Sequence, residues 1–306
     1  MKKALERAPV ALFVYNRPWH TQQTVEALLK NGEAKETDLI VFSDGPKRVE
    51  DAPMVAEVRK YVHSIAGFRS VRVVEREQNY GLAKSIITGV TEVVNEYGKL
   101  IVLEDDLVTS PYFLRYMNDA LTCYEFEDKV ICVNSYVFPV KGALPESFFL
   151  RGGGSLGWAT WQRGWNLFEA DGQKLLDSLT RLDLLGRFDF NGAYPYTDML
   201  KNQIAGKNSS WAVRWHASAF LLDKLTLFPA EPLVRHIGND GSGTHYDNSK
   251  GVDDFMGDRI AARPIAVGGI ALEHNTQVAW LYEQHFRAFQ HSWLRSLKNR
   301  IRRFLS

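Results

Sequence analysis

Strand-like and helix-like signals alternate through the first hundred residues, and this alternation constrains the fold more than any other feature. Residues 10–15 form an apolar run. Arg17-Pro18-Trp19-His20-Thr21 then opens a helix with Val25, Leu28 and Leu29 on one face. A second run at 39–42 closes on Ser43-Asp44-Gly45-Pro46, a strong turn signal. A helix with Val55, Val58 and Val62 follows, then a strand at 71–74. Asn79-Tyr80-Gly81 leads into Leu82, Ile86, Val90 and Val93 at helical spacing. Strand starts recur about every 30 residues, the length of a right-handed βαβ unit. The pattern predicts an α/β fold: a mostly parallel, doubly wound sheet flanked by helices.

The fourth strand, Leu100-Ile101-Val102-Leu103, runs into Glu104-Asp105-Asp106. Apolar residues on both faces suit a buried parallel strand, whose carboxyl end is where open α/β sheets bind ligands. Three adjacent acids repel one another unless a cation or hydrogen-bond donors neutralise them. Thr109-Ser110-Pro111 supplies an N-cap followed by a first-turn proline, which places the acids in a short strand-to-helix loop. The competing reading is a solvated acidic turn.

The second half has a different texture, with Gly152-Gly153-Gly154 and Leu156-Gly157-Trp158-Ala159-Thr160-Trp161. Residues 174–188 read as one amphipathic helix, Tyr194-Pro195-Tyr196-Thr197-Asp198 opens another, and 211–215 reads as a strand with alternating faces. A glycine-rich loop follows at 238–245. Gly152-x-Gly154-x-x-Gly157 matches the dinucleotide fingerprint, with Asp177 at a suitable distance, but it does not open the first βαβ unit. The strand ending in Asp105-Asp106 matches a Walker B element in outline. Its P-loop partner is missing, since Gly206-Lys207 is followed by Asn208. Oxidoreductase and ATPase chemistry are disfavoured. No linker composition divides the chain, so 1–250 reads as one domain with halves at about 8–107 and 108–250, and 251–306 as an extension.

With 37 basic and 36 acidic residues, the net charge of +1 gives no whole-chain reason to expect nucleic acid. The two cysteines, Cys123 and Cys132, do not make a disulfide framework, which favours a reducing, cytoplasmic compartment. The first residues lack a signal-peptide apolar core, and no apolar stretch is long enough to span a bilayer. From 292 to 306, Trp293, Leu294, Leu297, Ile301, Phe304 and Leu305 recur at helical spacing beside Arg295, Lys298, Arg300, Arg302 and Arg303. Such a basic amphipathic helix suits peripheral contact with an anionic membrane face. The alternative is packing of its apolar stripe on the body or on a second subunit of a homodimer.

Several of these pieces occur in one order across residues 9–245: Phe13-Val14-Tyr15-Asn16-Arg17-Pro18, Ser43-Asp44-Gly45, Asn79-Tyr80-Gly81-Leu82-Ala83, residues 103–107, Leu156-Gly157-Trp158 and the segment around Asp198. Together they resemble the inverting GT-A glycosyltransferases of the family 2 bacterial and N-acetylglucosaminyltransferase I types. The resemblance implies a GT-A catalytic domain over 1–250 that moves a sugar from a nucleotide diphosphate, expected to be a UDP-sugar, to a glycan or lipid-linked glycan acceptor in surface polysaccharide synthesis. It implies Mn2+ or Mg2+ held by Asp106, ribose bound by Asp105, and a loop ordered by Glu104. By the same likeness Arg17 grips the diphosphate, Asp44 accepts the uracil imide N–H, and Asn79 and Lys84 line the nucleotide. Asp198 is the implied base, although the family often shows an acid pair where this chain has Thr197-Asp198. Trp158 is expected near the sugar and His245 as a second metal ligand, with His236 as alternate. Each position also has a plain reading as a turn, surface or core residue. The competing functions are a metal-dependent nucleotide-sugar or phosphate-ester hydrolase and a non-catalytic carbohydrate-binding protein.

Overall fold

The computed structural model of the chain describes residues 7–240 and 256–304, with 291–304 in backbone only. The first half alternates as its apolar runs require: β1 (Val10–Val14), α1 (Pro18–Leu29), β2 (Asp38–Ser43), α2 (Ala52–His63), β3 (Ser70–Glu75), α3 (Leu82–Tyr97) and β4 (Lys99–Glu104). There follow β5 (Leu107–Thr109), α4 (Phe113–Cys123), β6 (Val130–Asn134), β7 (Ser147–Arg151), β8 (Trp158–Trp161) and the four-residue α5 (Gln162–Trp165). The chain then makes α6 (Gly172–Arg181), α7 (Leu185–Phe188), α8 (Tyr196–Ile204), α9 (Trp211–Leu221), β9 (Leu225–Pro229), β10 (Val234–His236) and α10 (Thr276–Phe304).

Eight strands form one sheet in the order β3-β2-β1-β4-β8-β6-β9-β7, and β10 pairs with β5 in a separate ribbon. The pairs β3-β2, β2-β1 and β1-β4 are parallel, as the strand spacing predicts. Beyond β4 the sheet becomes mixed: β8 is antiparallel to both β4 and β6, β6 and β9 are parallel, and β7 closes the edge antiparallel to β9. Both halves of the chain thus share one sheet. Alternate residues of β1 feed opposite cores. Val10, Leu12 and Val14 meet Val25 and Leu28 of α1 and Val58 and Val62 of α2. Ala11 and Phe13 meet Ile86, Val90 and Val93 of α3. Two-sided burial is what turns a strand's alternating pattern into a continuous apolar run.

Three local expectations are corrected. Residues 211–215 are helical: α9 starts from Ser210, whose side chain accepts the Val213 N–H. Trp211 and Trp215 join the α3 side of the core while Val213 and Ala217 face a second cluster. A helix buried on two sides shows the same apolar-polar alternation as a strand over so short a stretch. The single helix expected at 174–188 is two, α6 and α7, separated by Asp183 in the left-handed region at φ 53°. The acids after β4 do not lead straight into a helix. They sit in a turn into β5, and α4 begins only at Phe113, two residues after Pro111.

Candidate active site

β4 delivers Glu104, Asp105 and Asp106 to the carboxyl edge of the parallel half-sheet. β1, alongside, delivers Tyr15, Asn16 and Arg17 to the same edge, since Phe13 pairs with Glu104 in register. Arg17 is the N-cap residue of α1 and its side chain turns back over the acids. Its Nη2 donates to Asp105 Oδ1 and, at 2.6 Å, to Asp106 Oδ2, bridging the two carboxylates. The backbone of this turn is fixed as well: Thr24 Oγ1 donates to the Asp105 carbonyl at 2.8 Å, and Ile237 N–H to the Asp106 carbonyl at 2.9 Å.

The β5–β10 ribbon supplies the next ligand-type side chain. His236 pairs with Leu107 in the antiparallel register, and its Nε2 lies 3.3 Å from Asp106 Oδ2. Among the described residues, neither His236 Nδ1 nor Arg17 Nη1, both buried, has a hydrogen-bond partner. Gly238 follows, and a Cβ there would stand 2.4 Å from Asp106 Oδ2 and 3.1 Å from Arg17 Nη1, so only glycine lets the chain pass this close. His20, on α1, approaches Asp240 Oδ2 at 3.2 Å.

Charge in this cluster is polarised by burial and by the arginine. Burial works against the Arg17 charge, but Asp105 and Asp106 overcome it and hold the guanidinium protonated more firmly than usual. Burial favours the neutral form of Asp106, and the His236 and Arg17 contacts outweigh it, keeping this carboxyl ionised well below the usual range. Glu104 makes no such contact among the described residues, and the nearby Arg17 charge only partly opposes the effect of its burial. Burial, reinforced by the charges of Asp106 and Asp105, pushes it up to about 8.

The donor set suits a hard divalent cation. Asp105 and Asp106 offer carboxylate oxygens, His236 an imidazole, and the arginine already satisfies the demand for positive charge between the acids. Among the described residues no three His, Cys, Asp or Glu side chains gather into a complete cage. His245, the expected second ligand, lies outside the described residues.

The other expected residues separate into those that frame this edge and those that do not. Asp44, 5 % exposed, spends its carboxylate on backbone: Oδ1 accepts from Gly45 and Tyr80 N–H at 3.0 and 2.8 Å, and Oδ2 from Gly81 N–H at 2.9 Å. Asn79 Nδ2 donates to the Gly45 carbonyl at 2.7 Å. The two residues therefore lock the β2–α2 and β3–α3 loops together. Lys84 stands with Nζ 4.2 Å from the Tyr80 ring centroid. Asp198 is exposed in the first turn of α8, with no hydrogen bond or ion pair to the described residues. Trp158 is a correction: at 1 % exposure it stacks on Trp211 at 5.3 Å and packs between Trp165 and Trp215, so it presents no face to a sugar. The β8 position that follows Gly157 points into the core.

The dinucleotide-like glycines also have a packing cause. A Cβ on Gly152 would meet His216 at 2.3 Å, one on Gly153 would meet Trp215 at 2.6 Å, and one on Gly154 would meet Asn134 at 2.6 Å. They admit α9 and the end of β6 close to the backbone. The residues that sequence reasoning missed, His20, Thr24 and Gly238, have no local signal. They are adjacent to the acids only through the crossing of α1 and the β5–β10 ribbon.

Residues 10–147 match the family model Glycosyl transferase family 2. No curated protein matches the chain by sequence. Among solved structures, the mannosyltransferase PcManGT from Pyrobaculum calidifontis, in complex with GDP-Man and Mn2+, aligns at 14% identity and TM-score 0.30, covering 44% of this chain and 39% of that one. A UDP-glucose pyrophosphorylase complexed with UDP-glucose aligns at 11% identity and TM-score 0.36, covering 72% and 90%. Glucosyl-3-phosphoglycerate synthase from Mycobacterium tuberculosis, in complex with Mn2+, UDP and glucosyl-3-phosphoglycerate, aligns at 15% identity and TM-score 0.33, covering 59% and 70%.

Proposed function

We propose that this chain is a metal-dependent, inverting glycosyltransferase that uses a nucleotide diphosphate sugar, with UDP as the nucleotide. The observation that carries the reading is the paired carboxylate Asp105-Asp106 at the end of β4, closed by Arg17 and backed by His236. The family 2 match over residues 10–147 spans this pair, and it supports the same chemistry.

In this reading Asp106 and His236 hold Mn2+ or Mg2+, with His245 as a further candidate ligand, and Asp105 meets the ribose. The cation, when bound, neutralises negative charge on the departing diphosphate. Arg17 has two jobs in sequence: without ligand it neutralises the acids, and with donor bound its fork is free to grip the diphosphate oxygens. Glu104 backs the loop from the buried side. Asp44, Asn79 and Lys84 shape the base and ribose end of the cleft. Asp198 takes the proton of the acceptor hydroxyl as that oxygen attacks the anomeric carbon. The new oxygen–carbon bond forms on the face opposite the breaking bond to the diphosphate, so configuration inverts. The acceptor is a glycan or lipid-linked glycan of surface polysaccharide synthesis, and residues 292–306 bring the enzyme to the membrane that carries it.

Thermal melts with manganese and a panel of nucleotide sugars test the reading, because a ligand raises apparent stability by mass action. A UDP-sugar with manganese is expected to raise the Tm of the wild type, and Asp106→Asn is expected to fold yet lose that shift. An equal shift in both proteins would remove Asp106 from the site and the reading with it.

A further inference from the structure

β1 leaves the parallel ladder after Val14, which pairs with Ser43, and α1 begins at Pro18. Tyr15, Asn16 and Arg17 bridge the two, and Arg17 carries the guanidinium that spans Asp105 and Asp106. Each residue of so short a link has only two soft backbone dihedrals, so fixing the first two residues aims the third.

Two of the three are tied to Asp51, in the turn before α2. Tyr15 Oη donates to Asp51 Oδ2 at 2.9 Å and accepts the Lys47 N–H at 2.9 Å, while Asn16 Nδ2 donates to Asp51 Oδ1 at 3.3 Å. Arg48 closes the other side, its N–H donating to Oδ2 at 3.1 Å and its Nη2 to Oδ1 at 3.0 Å. Asp51 is buried, and a buried carboxylate is costly unless donors surround it in this way. An aspartate at the N-cap of a helix ordinarily accepts N–H groups from that helix's first turn. Asp51 is the N-cap residue of α2 and makes no such bond. Its carboxylate is turned instead to the neighbouring loop, where it holds the two residues that lead into Arg17. Among the described residues it makes no hydrogen bond or ion pair with Arg17, Asp105 or Asp106.

We propose that Asp51 is a positioning residue for Arg17: through Tyr15 and Asn16 it fixes the β1–α1 link, so that the guanidinium stays over the carboxyl edge of β4. Its use in gripping the donor's diphosphate rests on the transferase reading. An arginine already in place loses less freedom when it takes phosphate oxygens, and that preorganisation is what Asp51 supplies.

A double-mutant cycle of Asp51→Ala and Arg17→Ala tests the proposal, read first as calorimetric affinity for UDP with saturating manganese. Asp51→Ala is expected to weaken binding by about tenfold or more when Arg17 is present, the scale typical of an outer partner that orients a ligating group. In the Arg17→Ala background the same change should cost less than about twofold, within the scatter of independent sites. Equal losses in both backgrounds would mean that Asp51 touches the nucleotide or merely supports the fold, and would overturn the proposal, as would no loss in either. Urea unfolding of the four proteins without nucleotide or metal puts the same question apart from the transferase reading. The double variant's midpoint should fall by less than the sum of the two single falls, and additive falls would overturn the positioning role. Failure of the wild type to bind UDP with manganese would sink the transferase reading alone and leave the urea cycle to decide. Asp51→Asn and Arg17→Lys, which keep an acceptor and a charge respectively, serve if an alanine variant fails to fold.

Discussion

At the scale of single residues, Arg17 carries the most consequence. Its guanidinium is shared by the buried Asp105 and the half-buried Asp106, so removing it leaves the adjacent acids, among the described residues, with only the imidazoles of His236 and His20 for compensation. Breaking a buried ion pair costs about 3 kcal/mol or more, because the remaining charge has lost both water and partner. Arg17→Ala is therefore expected to lower the Tm clearly in the absence of divalent ions. Manganese should restore more stability to the variant than to the wild type, in which the arginine already occupies the space between the acids. Melting curves with and without manganese chloride check this, and an equal response would show that arginine and cation do not share a site. The acids and Arg17 were legible in the sequence because each follows an apolar strand directly. His236 was legible only as an alternate, because its place beside Asp106 depends on strand pairing across more than a hundred residues.

At the scale of elements, α9 shows both what the sequence could not reveal and why. Trp211, Trp215 and Ala219 serve one core while Val213, Ala217 and Phe220 serve another. The helical stripe is therefore blurred, and the Gly152-Gly153 backbone that receives it resembles a cofactor loop. His216 is the titratable group caught in this packing. It stacks on Tyr196 at 4.4 Å, its Nδ1 lies 3.1 Å from the Gly153 carbonyl, and burial pushes it down to about 4. In the unfolded chain the same group titrates near 6.5. Between those values the unfolded state takes up a proton that the folded state refuses, so this group's contribution to stability is complete above about pH 6.5 and falls as the pH drops toward 4. At about 1.4 kcal/mol per unit, the loss reaches about 3 kcal/mol. Urea unfolding at pH 7 and pH 4.5 is expected to show a smaller acid loss in His216→Phe than in the wild type. Parallel pH dependence in the two proteins would assign the titration to another group.

At the scale of the whole molecule, the fold depends on how far the chain's last helix belongs to the body. The regular spacing of residues 10–104 was enough to read the parallel half of the sheet. The mixed half, β8-β6-β9-β7, was not readable, because its strands are short and come from distant segments. That outer half is where α10 packs: Val278, Tyr282 and Phe286 are buried with Val137, Phe148 and Leu150. Gln290 Nε2 still donates to the Ala193 carbonyl at 2.9 Å. Three such side chains contribute about 1.5–3 kcal/mol each, a sum comparable to the entire stability of a typical domain. The basic residues proposed to meet a membrane begin only at Arg295. One helix thus divides by role, its first half fastened to the sheet and its second half bearing five positive charges without an acid. Ending the chain at residue 291 should change the Tm little while abolishing binding to vesicles rich in anionic lipid. Ending it at 275 should instead expose the Val137–Phe148–Leu150 surface and yield a protein that unfolds or aggregates. Retained vesicle binding by the longer truncation product would show that the tail does not contact lipid. Full stability of the shorter product would mean that α10 is an appendage, contrary to its buried aromatic face.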